Sequence, residues 1–188
     1  MKDDSRNVII RPMKEEDLEL VMKWRMSPEV TKYMYTDPQL SLEQQILWYN
    51  SRKKAGDNYL FIIQEDDTPI GVYTVDEIDM INKRCTSGMY IGEKDRRTIG
   101  LAVRLEYSFF DFLFYELNLN RTYAEIFCEN KGMVRLNKMC GWELEGIMKE
   151  HIFKYGIYHD IALLACTKKH WTEFRKECKY KRIPVYVE

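Results

Sequence analysis

Hydrophobic residues in the first third of the chain follow one short alternating run and then helical spacing. The alternation predicts a strand at Asn7–Arg11. Apolar residues three or four positions apart then predict a helix at Glu15–Met26, a short helical turn that ends near Tyr33, and a helix that begins at Ser41 and continues over Glu43–Lys54. One strand is therefore followed by two main helices before the pattern changes.

The pattern then alternates with a period of two over three consecutive runs. Strands are predicted at Tyr59–Gln64, Ile70–Ile78 and Thr86–Ile91, and the polar residues 65–69 predict a turn between the first two. Because short connections favour antiparallel neighbours, these three runs indicate a meander.

The second half of the chain alternates between helical and strand patterns. Helices are predicted at Ile99–Leu117 and Lys131–Met139, strands at Arg121–Cys128, Glu143–Lys154 and His159–Thr167, and a helical tail at Lys168–Tyr180. We therefore expect an α/β (α+β) fold with a central mixed sheet of about seven strands, antiparallel in its first half and flanked by about four helices. Residues 1–188 are expected to form a single domain, with 168–188 as a C-terminal extension.

The charge balance argues against large charged partners. The 188 residues carry 29 Lys and Arg against 30 Asp and Glu, so the chain lacks the positive field that attracts nucleic acid or an anionic membrane. Neither a signal peptide nor a membrane-spanning run is evident, so we expect a cytoplasmic protein without nucleic-acid or membrane partners. The three histidines and five cysteines lack ligand spacing, so we expect no metal and reduced thiols.

A basic segment with one glycine, Arg96 to Ala102, opens the longest predicted helix. A helix start carries unpaired N–H groups and the positive end of the helix dipole, so this segment suits a phosphate. Gly100 lets the backbone approach a ligand, and Ala102 leaves room behind it. The candidate binding residues are Tyr90, Ile91, Arg96, Arg97, Thr98, Ile99, Gly100, Leu101 and Ala102. The alternative is a solvated basic surface.

Two motifs in order carry a resemblance to a known family. The first is Arg97-x-x-Gly100-x-Ala102, and the second runs from Asn130 through Arg135 to Gly141-Trp142. Together they resemble the acetyl-CoA signature and the later asparagine segment of the GNAT N-acetyltransferases. The resemblance implies the GNAT fold, acetyl-CoA as a co-substrate, and coenzyme contacts from Asn130, Arg135 and Asn137.

The sequence departs from the family pattern at both usual acid–base positions. Asn137 stands where many members have a tyrosine that protonates the leaving thiolate, and an amide cannot do so. Ser87 stands where family precedent places a glutamate base. We therefore expect Glu77 and Asp76 to act as bases through water, and the backbone N–H groups near Tyr90 and Ile91 to polarise the thioester carbonyl. The alternative for the two carboxylates is an ordinary exposed strand end.

The segment after the first strand is expected to choose the amine. It resembles the enzymes that acetylate UDP-4-amino-4,6-dideoxy-sugars in pseudaminic acid synthesis, which implies a small-molecule amine as substrate. The candidate substrate-binding residues are Arg25, Met34, Tyr35 and Asp37. Trp24, Met34 and Trp48 are alternatively core residues, which we favour for these three.

Three other functions stay open at this point. Asp37, Asp76 and Glu77 together suit a polycation such as spermidine, and an open groove would suit a protein N-terminal amine. A non-catalytic acetyl-CoA-binding module is the third alternative. The aromatic content of 13% leaves enough apolar surface for a homodimer, so the oligomeric state is open as well.

Overall fold

The computed structural model describes residues 7–188, which contain one seven-stranded mixed sheet. The strands are β1 (Val8–Pro12), β2 (Tyr59–Glu65), β3 (Thr68–Asp79), β4 (Arg84–Ile91), β5 (Arg121–Phe127), β6 (Glu143–Lys154) and β7 (Ile157–Thr167). Their order across the sheet is β1-β2-β3-β4-β5-β7-β6, and every neighbouring pair is antiparallel except β4 and β5. The predicted mixed sheet with an antiparallel first half is confirmed.

Six α-helices lie within the same residues, where the sequence indicated about four. They are α1 (Leu18–Met26), α2 (Pro28–Thr31), α3 (Leu42–Ala55), α4 (Ile99–Asp111), α5 (Lys131–Met139) and α6 (Lys168–Phe174). The difference comes from the one-turn helix α2 and from α6 in the tail. The long predicted helix ends as α4 followed by a π-helical turn at Phe112–Glu116.

Local chemistry sets where several elements begin and end. The hydroxyl of Ser41 accepts from the amide of Gln44, whose side chain accepts from the amide of Ser41, so a capping box starts α3. Gly56 ends α3 with φ 72°, and Gly141 follows α5 with φ 94°. Tyr155 and Gly156 turn the β6–β7 hairpin with φ 51° and 79°.

Two hydrophobic cores lie on opposite faces of the sheet. The larger core packs α4 against the sheet, and Phe61 and Ile63 of β2 belong to it. The smaller core packs α1 and α3 on the other face and includes Ile62, the residue between those two. Because successive strand residues point to opposite faces, one strand contributes to both cores. The start of α4 therefore lies on one face of the sheet, and the loop after α2 lies on the other.

The C-terminal segment packs against α4 and β1. The carboxylate of Asp111 in α4 accepts hydrogen bonds from Trp171, Arg175 and Tyr180 at 3.0, 3.0 and 2.5 Å. Ile183 is fully buried, and the amide of Ile10 donates to the carbonyl of Pro184 at 2.9 Å.

The expectation that Trp24, Met34 and Trp48 are core residues holds for one of the three. Trp24 is buried, Met34 is half-buried and Trp48 is 39% exposed, so the placement of Trp48 was wrong. Tyr49 is buried instead, and its hydroxyl donates to the carbonyl of Met13 at 2.8 Å. One residue along a helix is a rotation of about 100°, which turns the neighbouring aromatic side chain to solvent.

Candidate functional site

The strands β4 and β5 separate after three paired residues. They pair in parallel only over Arg84–Thr86 and Arg121–Tyr123, although β4 continues to Ile91 and β5 to Phe127. Each strand stays paired on its outer side, β4 with β3 and β5 with β7. In the described part of the chain the inner edges of the two strand ends have no strand partner. They border a wedge-shaped opening, called the cleft below.

The backbone amides of β4 face the cleft at alternate residues. The amide of Gly92 donates to the carbonyl of Ile70 at 2.8 Å, which fixes the hydrogen-bonding pairs of the β3–β4 ladder. Because these pairs alternate along an antiparallel ladder, the amide of Tyr90 faces β3, whereas those of Met89 and Ile91 face the cleft. Of the two predicted amides, that of Ile91 is therefore the one directed to a ligand in the cleft.

Helix α4 begins at the open end of the cleft. The hydroxyl of Thr98 accepts from the amide of Leu101 at 3.2 Å, and its carbonyl accepts from Ala102 at 3.1 Å. Of the first N–H groups of the helix, those of Ile99 and Gly100 keep no intrahelical acceptor. A Cβ on Gly100 would meet nothing within 4 Å, so open space lies beside these amides. This geometry fits a phosphate at the helix start.

The two arginines before α4 hold the loop in place. Arg96 donates to the buried carboxylate of Glu65 at 2.6 Å. Arg97 donates to the carbonyls of Ile91 and Gly92 at 2.9 and 3.2 Å. These bonds fix the approach of the loop to the end of β4. The direct ligand contacts that the sequence predicted for Arg96 and Arg97 stay predictions.

The loop between β4 and α4 is also packed against α1. The indole of Trp24 donates to Glu93 at 2.9 Å, and a Cβ on Gly92 would lie 2.2 Å from its ring. Tyr90 packs in the same small core. Burial raises the pKa of the Tyr90 phenol, which the nearby Arg25 partly opposes, so the phenol is neutral at physiological pH.

Helix α5 brings a second group of predicted residues beside the cleft. The side chain of Asn130 caps the helix by accepting from the amide of Met133 at 3.3 Å. Asn137 is buried, and its side-chain oxygen has no hydrogen-bond partner within the described residues. Arg135 lines a cavity of about 440 Å³ whose other lining residues are Cys128, Lys131, Val134, Lys138 and Met139. Three cationic side chains therefore surround one cavity.

The predicted substrate residues meet on the opposite face of the sheet. The Nη2 atom of Arg25 donates to the carbonyl and hydroxyl oxygens of Thr36 at 3.1 and 2.8 Å, while its Nη1 atom is buried without a hydrogen-bond partner among residues 7–188. Tyr35 donates to Glu125 on β5 at 2.5 Å. Burial, and then this hydrogen bond, raise the pKa of Tyr35, so it stays a donor.

A buried lysine holds the loop that carries these residues. The ammonium of Lys154, at the end of β6, donates to the carbonyls of Thr31 and Met34 at 2.7 and 2.6 Å and lies 3.1 Å from the carboxylate of Asp37. Met34 therefore contributes its backbone oxygen to this contact. The charge of Asp37 is already balanced by the protein itself.

The predicted bases also have partners. Asp76 forms an ion pair with Arg52 of α3. Glu77 has φ 54° and accepts from the hydroxyl of Tyr123 at 2.9 Å. Ser87 shares a 2.8 Å hydrogen bond with Thr122 where β4 and β5 begin to separate.

Sequence reasoning missed Lys154, Glu125 and Arg52. Each acts through a contact between residues at least 24 positions apart, such as Arg52 with Asp76. No local spacing marks such pairs. The one available signal is the place of Glu125 within the predicted strand Arg121–Cys128, next to the motif that begins at Asn130.

The described residues offer neither a metal site nor a membrane-spanning helix. Among residues 7–188, no group of three or more His, Cys, Asp or Glu side chains is arranged to hold a metal ion. None of the described helices combines the length and the apolar character that a membrane crossing requires. The five cysteines are free thiols.

The chain is similar to known acetyltransferases. It is 24% identical to a spermidine N(1)-acetyltransferase of Escherichia coli over 88% of each chain. It is 23% identical to the acetyltransferase PseH of Campylobacter jejuni over 66% of this chain and 75% of that protein. Its fold matches the crystal structure of a Vibrio cholerae spermidine N-acetyltransferase in complex with CoA and spermine, with a TM-score of 0.83, 22% identity, and coverage of 88% of this chain and 98% of that one.

A family model for the acetyltransferase (GNAT) domain matches residues 7–143, most of the chain. The two motifs that suggested this family fall within the matched region. The chain therefore belongs to the GNAT acetyltransferase family and is an N-acetyltransferase that uses acetyl-CoA.

Proposed function

We propose that this enzyme acetylates a primary amine that also carries an anionic group, and that its substrate is the 4-amino group of a UDP-4-amino-4,6-dideoxy-sugar. The observation that carries the proposal is the guanidinium of Arg25, which has one buried nitrogen without an acceptor among the described residues. A buried charged donor left without a partner is costly, so a ligand that supplies an anionic oxygen there gains affinity.

The residues present fit acetyl-CoA. The amides of Ile99 and Gly100 are available to the diphosphate, beside the open space at Gly100. The inner edge of β4 offers the amides of Met89 and Ile91 to the rest of the coenzyme. The cationic cavity on α5 suits the nucleotide phosphate, and we assign this contact to Arg135.

Acetyl-CoA supplies a thioester whose acetyl carbon accepts the amine nitrogen. The chain contributes the position of the two reactants and the N–H groups of the cleft, which stabilise negative charge on the carbonyl oxygen. The side-chain oxygen of Asn137, which has no hydrogen-bond partner within residues 7–188, is an acceptor and not an acid, so the thiolate takes its proton from solvent. A carboxylate near the amine accepts its proton, directly or through water.

The face of the sheet that carries Arg25, Tyr35 and Asp37 is called the acceptor side below. Its charges favour an anionic group near Arg25. Asp37 is compensated by Lys154, and Asp76 by Arg52. Burial lowers the pKa of Arg25 from its ordinary value, yet a guanidinium stays charged at physiological pH. Arg25 is therefore the charged group on this side whose hydrogen bonds within the described residues are incomplete.

A polyamine such as spermidine is the second candidate. Among the described residues, Glu77 and Glu125 form no ion pair, and each accepts a hydrogen bond from a tyrosine. Two uncompensated carboxylates on one side of the sheet suit a polycation. The similarity to spermidine acetyltransferases favours the same class.

The two candidates are separated by ligand-dependent stability. The melting temperature of the CoA-saturated protein is measured with the UDP-4-amino-4,6-dideoxy-sugar and, separately, with spermidine. A ligand at 100 times its Kd stabilises the fold by about 2.7 kcal/mol. We expect this shift with the sugar nucleotide, and acetylated product when acetyl-CoA replaces CoA.

The variant Arg25→Met tests whether Arg25 binds the anionic group of the substrate. It should abolish the shift caused by the sugar nucleotide, whereas Lys23→Met, on the exposed face of the same helix, should keep it. A shift and product with spermidine alone would make the polyamine the substrate. Thioester cleavage without acetylation of any amine would contradict both candidates.

A further inference from the structure

Glu125 stands on the face of β5 that borders the acceptor side. Tyr123, Glu125 and Phe127 alternate with Thr122, Ala124 and Ile126, and Ala124 and Ile126 pack against the core around α4. The first set therefore faces the opposite side, toward the loop after α2. The contacts of Tyr35 with both Glu125 and Phe127 place that loop over this face.

Glu125 is the carboxylate beside the open part of the cleft. The last parallel pair joins Thr86 to Tyr123, so Glu125 lies two residues beyond the point where the strands separate. Had the pairing continued, its partner on β4 would have been Gly88, which presents no side chain. A Cβ on Gly88 would meet only the hydroxyl of Thr74, at 4.0 Å, so open space lies beside Gly88 on this face of the sheet.

The two carboxylates that the sequence predicted as bases lie elsewhere. Asp76 is level with Thr86, at the closed end of the cleft, and is bound to Arg52. Glu77 follows it along β3, beyond the residue that pairs with Thr86, and so farther from the opening. Neither is as near to the separated strand ends as Glu125.

Tyr35 contacts Glu125 and, two residues farther along β5, Phe127. Its hydroxyl donates to the carboxylate at 2.5 Å, and its ring lies edge-on to Phe127 with 5.7 Å between centroids. The loop that carries Tyr35 is itself fixed by the bonds of Lys154 to Thr31 and Met34. The carboxylate is thus oriented while one of its oxygens stays available.

From these contacts we infer that Glu125 is the carboxylate that removes the proton from the acceptor amine, and that Tyr35 is the residue that positions it. This inference rests on the proposed function, acetyl transfer to a primary amine. An ammonium group, R–NH₃⁺, cannot attack because its nitrogen has no free electron pair. Transfer of one proton to Glu125, directly or through one water, leaves R–NH₂ and a neutral carboxyl.

Acetyl transfer and the departure of coenzyme A follow. The amine nitrogen forms a bond to the acetyl carbon, the carbon–sulfur bond breaks, and coenzyme A leaves with the electron pair as a thiolate. The second proton of the nitrogen goes to solvent with the thiolate as its eventual acceptor. Glu125 returns its proton to water before the next turnover.

The test is the pH profile of Glu125→Gln. General base catalysis contributes typically 10²–10⁴-fold. We expect kcat/KM for the amine to fall about 100-fold or more at pH 7, and the loss to shrink as rising pH supplies neutral amine. The affinity for CoA and the melting temperature should not change, since Glu125 does not bind the coenzyme.

Two variants separate this role from a general loss of charge or packing. Glu129→Gln removes a nearby exposed carboxylate and should keep both the rate and the pH profile. Tyr35→Phe should lower kcat/KM less than Glu125→Gln and keep the shape of the profile, because the base remains.

The outcomes for the inference and for the proposed function are distinct. An active wild-type enzyme whose Glu125→Gln variant keeps the full rate and profile would overturn the inference alone. An equal loss of kcat/KM at every pH, together with a lower melting temperature, would assign Glu125 a structural role. That result would overturn the inference as well. A wild-type protein that acetylates no amine would overturn both.

Discussion

Replacing the buried carboxylate of Glu106 by an amide is expected to change how folding stability depends on pH. Glu106 lies on α4 at 3% exposure, and its carboxylate accepts from the indole of Trp142 at 3.1 Å. Burial raises its pKa from 4.5 to about 7, although the Trp142 hydrogen bond works in the opposite direction. Tyr73, Cys140 and Cys166 are the titratable groups around it.

The sign of the effect follows from proton binding. Between pH 4.5 and about 7 the folded protein keeps a proton on Glu106 that the unfolded chain has lost. The stability that this group contributes is therefore fully present below pH 4.5 and is lost as the pH rises through about 7. The difference between the two pKa values corresponds to roughly 3 kcal/mol.

The assay is urea unfolding of the wild type and Glu106→Gln at pH 4.5 and pH 8, followed by tryptophan fluorescence. The stability of the variant relative to the wild type should rise by roughly 3 kcal/mol between these pH values. Any pH-independent cost of the amide cancels in this comparison. Trp142→Phe, which removes the N–H donor, should move the loss of stability to higher pH. A change below about 1 kcal/mol would refute the reasoning.

Three further predictions concern the site. Gly100→Leu should abolish CoA binding in calorimetric titration while keeping the melting temperature, because its side chain enters open space. The control Gly146→Leu, also next to open space, should keep both properties. Normal CoA affinity in Gly100→Leu would contradict the assignment of the loop. Arg135→Ala should weaken CoA about tenfold, as expected for one charged hydrogen bond, but leave dephospho-CoA unchanged; equal losses for both would place Arg135 elsewhere. Lys154→Met should raise the KM for the amine and lower the melting temperature by several degrees, because three oxygens lose a buried cation. Unchanged values would show that the loop after α2 is held without Lys154.

Local periodicity determined most of the fold that the sequence could predict. The bounds of Lys131–Met139 and Glu143–Lys154 agree with the structure to the residue, because the hydrophobic period of a helix or a strand is visible within a short segment. The turn at Tyr155-Gly156 follows in the same way from its residues. The packing of Trp48 could not be predicted in this way, since its exposure depends on how α3 is rotated against β2 and β3.

The start of α4 was predictable for the same reason. Thr98 and Gly100 define an N-terminus and an open backbone by their own chemistry. The acceptor side depends on contacts across the chain instead. Lys154 binds carbonyls more than 100 positions away, and Tyr35 meets Glu125 across 90 residues. Charge counting alone assigned Asp37 to a polycation, whereas the fold compensates that charge internally.

The binding mode of the coenzyme is best tested by a crystal structure of the protein with bound CoA. We predict the diphosphate within hydrogen-bonding distance of the amides of Ile99 and Gly100, and the pantetheine between the separated ends of β4 and β5. A coenzyme bound with its diphosphate away from the start of α4, or outside the cleft, would contradict this prediction.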